Sequence, residues 1–251
     1  INHEYVNPTL HPEGIAVVDG RRPLEQVRQQ IAQLQQGQRS QLDAEVPSEL
    51  QPLVEQIRAA GGEAHGFGSD ARKEEEMVAL VQKIEAEIAP IEVAVFNIGA
   101  NVRFGITETT ARVYFKVWEM ACFAGFLMGR EAARVMLPRG RGTIIFTGAT
   151  ASLRGREGFA AFAGAKHGLR ALAQSMAREL WPKGIHVAHP VIDGAIDTEF
   201  IRSNFPERYA LKEQGGILNP EHIADLYWQL HQQPRDAWTH ETEIRPWMEP
   251  W

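Results

Sequence analysis

A single cysteine, Cys122, in 251 residues leaves no partner for an intrachain disulfide, so the fold relies on its core. Cys122 lies in an apolar stretch, where a packed thiol is the expectation and a reactive one the exception. No apolar run approaches the roughly 20 residues that a membrane-spanning helix needs. The opening INHEYVNPTLHPEG has neither the basic nor the apolar zone of a secretory leader. Positive charge is in the minority, with 26 Lys and Arg against 32 Asp and Glu and a net charge of −6, which argues against a nucleic-acid surface. Metal-type Cys/His spacing, internal repeats and low-complexity linkers are missing too. The expectation left by these absences is a soluble cytoplasmic protein with no metal and no membrane or nucleic-acid partner.

What is present is a chain that is 44% hydrophobic and long enough to bury the core of one α/β domain. Residues 1–13 carry no periodic pattern and read as an arm, with a single domain over 14–251. Gly14 to Val18 reads as a first parallel strand. A helix follows from Pro23, with Leu24, Val27, Ile31 and Leu34 on one face and Gly37 as its stop. Ser40 to Val46 reads as a second, weak strand. A helix from Pro47-Ser48 to Gly61, a strand over 64–68 and a charged helix from Asp70 to Ile88 come next, the last burying Met77, Leu80, Val81 and Ile84. The pattern continues with a strand over 91–96, a long helix over 111–138, a strand over 143–146, a helix over 159–182 and a strand over 184–188. A loop-like stretch over 199–217 leads to a helix from Asn219 to about His231 and a final strand within 237–244. Strands alternating with helices at this spacing predict a Rossmann-type, doubly wound parallel sheet with helices on both faces. Residues 26–51 are unusually rich in glutamine, unlike the rest of the chain.

The segment from Gly142 to Leu180 sets the register of everything else. A β-branched run delivers a small-residue turn, and the next helix places Phe162 and Lys166 four residues apart on one face. This arrangement resembles the active-site segment of the short-chain dehydrogenases/reductases, in which a strand brings a serine and the following helix a Tyr-x-x-x-Lys pair. Other motifs agree in order. Phe96-Asn97-Ile98-Gly99 stands where the family has Asn-Asn-Ala-Gly beside the cofactor, and Asp70-Ala71 where an Asp-Val pair meets the adenine. Asp193 to Thr198 replaces the Pro-Gly segment, whose threonine meets the nicotinamide amide. The resemblance implies an NAD- or NADP-linked oxidoreductase acting on a carbonyl/alcohol pair. Its contacts would be Asn97, Gly99 and Thr198, with Lys166 on the ribose or in proton transfer.

The same resemblance shows what is altered. The family's first turn, Gly-x-x-x-Gly-x-Gly, keeps Cβ atoms away from the pyrophosphate. Laid from Gly20, that pattern puts Leu24 and Gln26 on the second and third glycines. Arg21 and Arg22 offer charge to phosphates, against Glu25, and Asp43 is placed to favour NAD if it meets the ribose. Dinucleotide binding is therefore expected to be weak or lost. The tyrosine position is Phe162, which cannot exchange a proton, and the serine position is Ala149, which cannot donate a hydrogen bond. Losing a general acid costs about 10²–10⁴-fold in rate. The relay asparagine falls on Ala121 or Cys122. Ser152, in the same turn, is the candidate substitute hydroxyl, although turn hydroxyls usually satisfy local backbone. The opposing reading is a non-catalytic protein of this fold that serves assembly or ligand binding. Apolar residues on more than one face of the 111–138 helix, and Trp238, Trp247 and Trp251, point to a homodimer or homotetramer.

Overall fold

The computed structural model describes residues 15–18 and 46–249. They fall into two compact units, one within 11–89 and one over 90–249. The expected arm, the helix from Pro23, the strand over 40–46 and the first cofactor turn lie outside the described residues.

In the first unit, strand β1 (Ile15–Val18) pairs with β2 (Ala64–Phe67) in antiparallel register, Ile15 opposite Phe67. This differs from the parallel strand that the sequence pattern predicts. The pairing observed requires no crossover between its partners. Helix α1 (Gln51–Ala59) begins three to four residues later than expected, because Pro47 to Leu50 closes a turn through Leu50 N–H to the Pro47 carbonyl, 2.9 Å. Helix α2 (Glu74–Glu87) buries Met77, Leu80, Val81 and Ile84, the stripe expected from a 3.6-residue period. Three glutamates occupy its first turn, where negative charge favours the helix dipole.

The second unit is built on parallel strands. β3 (Val93–Phe96) pairs with β4 (Gly142–Phe146), and β4 with the first half of β6 (Ile185–Ile192). The second half of β6 is flanked by the two-residue β5 (Gly148–Ala149) and by β7 (Glu241–Ile244). β6 runs four residues beyond its expected end. Pro190 argues against strand there because it has no N–H to give, yet it pairs with Thr242 of β7 within this all-buried strand.

Alternation along β4 sends its residues to opposite faces. On one, Ile145 packs with Ala188 and with Leu230 of α8 (Pro220–Gln232, the last of the described α-helices). On the other, Phe146 meets α4 (Ala124–Met136) so closely that a Cβ at Gly129 would stand 2.6 Å from its ring. The sheet thus carries helices on both faces.

The 111–138 helix is one rod in three parts: α3 (Ala111–Trp118), a π-helical turn (Glu119–Phe123) and α4. Its start is fixed by Thr110, whose hydroxyl accepts from Val113 N–H at 3.2 Å. Helix α5 (Ala160–Leu180) packs against this rod and against β6, burying Ala161, Ala165, Leu169 and Ala173. The loop-like stretch contains the short helices α6 (Glu199–Asn204) and α7 (Pro206–Tyr209). Thr198 caps α6, and Asn219 caps α8 through a 2.9 Å bond from Glu221 N–H.

Candidate active site

At the C-terminal ends of β3, β4 and β6 the second unit encloses a cavity of about 640 Å³. This is the end of a parallel sheet at which open α/β folds take their ligands. Four of the expected positions line it directly: Asn97, Gly99, Ala149 and Phe162, with Lys166 as a fifth. A Cβ added at Gly99 would meet nothing within 4 Å, so the chain leaves open space there.

Lys166 is the chemical centre of the cavity. It is 3% exposed, and its ammonium donates to the carbonyls of Thr147 (2.8 Å) and Ile98 (3.4 Å). These acceptors come from the ends of β4 and β3, so the two strands hold the charge where α5 delivers it. Burial without a carboxylate partner brings its pKa down from 10.5 to about 8. Its Nζ lies 5.9 Å from the centre of the Phe162 ring. Phe162 also packs on the cluster of Ala121, Cys122, Ala161 and Ala165.

The hydroxyls around the site are engaged elsewhere. Ser152 is fully buried, and its hydroxyl accepts from the Ala149 N–H at 3.1 Å, closing the turn on itself. Thr150 donates to the Asp193 carboxylate. Thr147 shares a 2.7 Å bond with the Tyr227 hydroxyl. Thr198 spends its hydroxyl on Ile201 N–H. Ala121 and Cys122 are both buried in the π-helical turn. Burial raises the thiol pKa, as expected for a packing cysteine.

Asp70 and Ala71 belong to the first unit. Ala71 is buried there. Asp70 accepts from the Arg72 backbone N–H and, in bidentate fashion, from its guanidinium at 2.8 and 2.7 Å. That bond is the main reason its pKa lies below the usual carboxylate value. Gly20, Arg21, Asp43, Leu24 and Gln26 lie outside the described residues.

Several cavity residues carried no sequence signal. Asn101, Arg154, Arg156 and Phe159 line it from loops, and Arg208 and Glu249 from far along the chain. Behind this wall Asp193, 1% exposed, accepts from Thr150, from Arg154 (3.0 Å) and from Arg245. His189 lies on the β6 strand below. Its Nδ1 lies 3.0 Å from Glu241, which Arg170 clamps at 2.6 and 2.7 Å, and burial takes its pKa to about 4. A neutral His189 therefore donates Nδ1–H to Glu241. His186 stacks on Trp238 at 4.9 Å. Trp238 thus packs within the chain, Trp247 is 80% exposed, and Trp251 lies outside the described residues. His167 bonds the Ala163 carbonyl of its own helix. Among the described residues no cluster of His, Cys, Asp and Glu could hold a metal ion, and no helix is long and apolar enough to cross a membrane.

The fold agrees with what known proteins show. The family model for short chain dehydrogenases matches residues 25–208, and the chain belongs to that family of oxidoreductases. A solved short-chain dehydrogenase from Rhodopseudomonas palustris is 55% identical, with a TM-score of 0.67 over 79% of this chain and 82% of that one. The 2-dehydro-3-deoxy-D-gluconate 5-dehydrogenase of Formosa agariphila is 31% identical over 134 residues, 53% of this chain and half of that protein. A gluconate 5-dehydrogenase from Burkholderia cenocepacia, solved with NADP and tartrate, shares the fold at 18% identity and a TM-score of 0.66, covering 78% of this chain and 79% of that one. One further match is of another kind. A stretch of 36 residues, 14% of this chain, is 81% identical to part of the sensor protein kinase CarS of Pseudomonas aeruginosa, 8% of that protein.

Proposed function

We propose that the chain is an NAD(P)-linked oxidoreductase of a carbonyl/alcohol pair in which Lys166 itself exchanges the proton that a tyrosine exchanges elsewhere in the family. The observation that carries this reading is a buried ammonium on the cavity floor, next to a ring with no hydroxyl, with a pKa of about 8. A general acid works best with a pKa near the operating pH. The cavity fits the nicotinamide-ribose half of a dinucleotide: Gly99 leaves space, and Asn97 and Lys166 face it. When bound, the nicotinamide supplies or accepts the hydride. The chain's own residues do the rest. Lys166 gives its proton to the carbonyl oxygen during reduction, or takes the hydroxyl proton during oxidation. Phe159 and Phe162 wall the reacting carbon from water. With Ala149 in place of a hydroxyl donor, the developing oxyanion has one stabiliser fewer, which keeps turnover slow.

The test is the pH profile of kcat/KM with a broad carbonyl panel. Reduction needs protonated Lys166 and falls as pH rises through about 8, whereas alcohol oxidation rises through the same pH. Lys166→Ala removes both activities. A profile that stays flat over this range refutes the assignment.

A second reading has its own support. Phe162 and Ala149 lack the family's chemistry and Ser152 is committed to backbone, which favours a ligand-binding protein without turnover. Dinucleotide binding with no activity on any carbonyl would select it. The glutamine-rich composition of 26–51, unlike the rest of the chain, together with Leu24 and Gln26 at the glycine positions, supports divergence of the first cofactor turn. We expect weak dinucleotide binding on that account. Assembly as a homodimer or homotetramer is supported by four aromatic rings along one exposed helix edge. Phe115, Trp118, Phe123 and Phe126 follow one another at 5.9–6.1 Å.

A further inference from the structure

The mouth of the cavity carries more positive charge than its own acids balance. Arg154, Arg156 and Arg208 line it, with Glu249 as the one carboxylate in the lining. Two of the three guanidiniums are occupied: Arg154 by Asp193 at 3.0 Å, and Arg208 by Glu249 at 2.7 Å. Arg156 is exposed and makes no ion pair among the described residues. Arg103 is in the same position. It is exposed, and its guanidinium lies 5.9 Å from the ring of Phe159, itself part of the lining. Backbone fixes the two loops together. Phe104 N–H donates to the Gly158 carbonyl at 2.9 Å, and Gly158, at φ +82°, would drive a Cβ to 2.9 Å from the Arg103 stem.

Two uncompensated guanidiniums at one opening matter in a chain whose net charge is −6. Such a site concentrates anions locally against the field of the whole molecule. The walls inside are of opposite character, with Ala149, Ala151, Phe159, Phe162, Ile192 and Ile196. We infer that the compound this cavity takes is an apolar oxo or hydroxy acid, its carboxylate held at the mouth by Arg156 with Arg103 alongside. A carboxylate fits better than a phosphate. The planar fork of Arg156 meets two coplanar carboxylate oxygens, while the apolar walls behind it make the doubly charged phosphate the costlier group to desolvate. The inference rests on reading the cavity as the substrate site, but its test requires no turnover.

The experiment is an NMR or calorimetric titration of the full chain with three probes of similar size. Phenylpyruvate carries a carboxylate, 4-phenyl-2-butanone is neutral, and phenyl phosphate carries a dianion. Phenylpyruvate is expected to bind about tenfold more tightly than the neutral ketone, as the loss of one charge-assisted hydrogen bond predicts. Arg156→Gln is expected to erase that difference, and Arg156→Lys to restore only part of it. Dinucleotide affinity is to be measured on the same variants and stays at the parent value. Equal binding of acid and ketone, an unchanged preference in Arg156→Gln, or tighter binding of the phosphate overturns the inference. Failure of the proton-transfer reading would show in the pH profile alone and leave these affinities untouched.

Discussion

Replacing Lys166 by methionine separates what this side chain does for the site from what it costs the fold. Below pH 8 the native protein holds an ammonium 3% exposed, with two carbonyls and no carboxylate around it. The fall in pKa from 10.5 to about 8 corresponds to about 3 kcal/mol of destabilisation of the protonated form. The sign follows from proton counting. Between about pH 8 and 10.5 the unfolded chain keeps a proton that the native lysine has lost, so stability rises with pH across that window. The cost is complete below it and gone above it. Methionine has nearly the same length and no charge, so it escapes this cost but leaves the Thr147 and Ile98 carbonyls without their donor, a loss of about 1 kcal/mol each. At pH 7 the variant is therefore expected to be more stable by roughly 1 kcal/mol, and at pH 10.5 less stable by about 2 kcal/mol. Urea denaturation of both proteins at pH 7, 9 and 10.5 measures the gap, and titrations common to both cancel. A gap that is constant with pH would show that the ammonium is not desolvated, and the general-acid reading would fall with it.

Three further expectations are independent of that one. Phe162→Tyr with Ala149→Ser restores a phenol beside the ammonium and a hydroxyl in the turn, and is expected to raise carbonyl reduction at least tenfold; an active parent whose folded variant gains nothing refutes the alignment of these positions. NAD(H) and NADP(H) are expected to bind more weakly than low-micromolar by calorimetry, and Leu24→Gly with Gln26→Gly to tighten them. Parent binding in the low-micromolar range would overturn the reading of that turn. Trp118→Asp with Phe126→Asp, both at exposed positions of the aromatic edge, is expected to turn an oligomer into a monomer by light scattering, and no change in mass would place the interface elsewhere.

The sequence was most readable where one periodicity ruled a whole segment. Met77, Leu80, Val81 and Ile84 could be assigned to the inner face of α2 before any coordinates, because nothing competes with a clean 3.6-residue stripe. Lys166 could be placed because a helical spacing of four ties it to Phe162. Readability failed where distant segments decide the outcome. Pro190 looks like a strand end by itself, yet the β5 and β7 pairings on either side carry β6 past it. The length of the loop before the long helix left Ala121 and Cys122 as alternatives, and both are buried in the π-helical turn at Glu119–Phe123. Arg208 and Glu249, 41 residues apart, meet at the cavity wall through a salt bridge that no local pattern could announce. Ser152 shows a different limit. Its hydroxyl was legible as a candidate, but only its complete burial behind the turn, with the oxygen accepting from the Ala149 N–H at 3.1 Å, shows that it does not line the cavity.

The buried Asp193 has a consequence for how the pocket can change. It joins the turn after β4, through Thr150 and Arg154, to Arg245 just beyond β7. Glu249 then reaches Arg208, and Trp247 donates its indole N–H to the Gln214 carbonyl at 3.0 Å. One flank of the pocket is thus pinned by residues 245–249, none of which belongs to a strand. Of these side chains Glu249 lines the pocket, and exchanging it leaves both the Arg245 anchor on Asp193 and the pairing of β3, β4 and β6 in place. A short stretch at the far end of the chain can therefore retune which molecules enter, while the floor with Lys166 stays as it is.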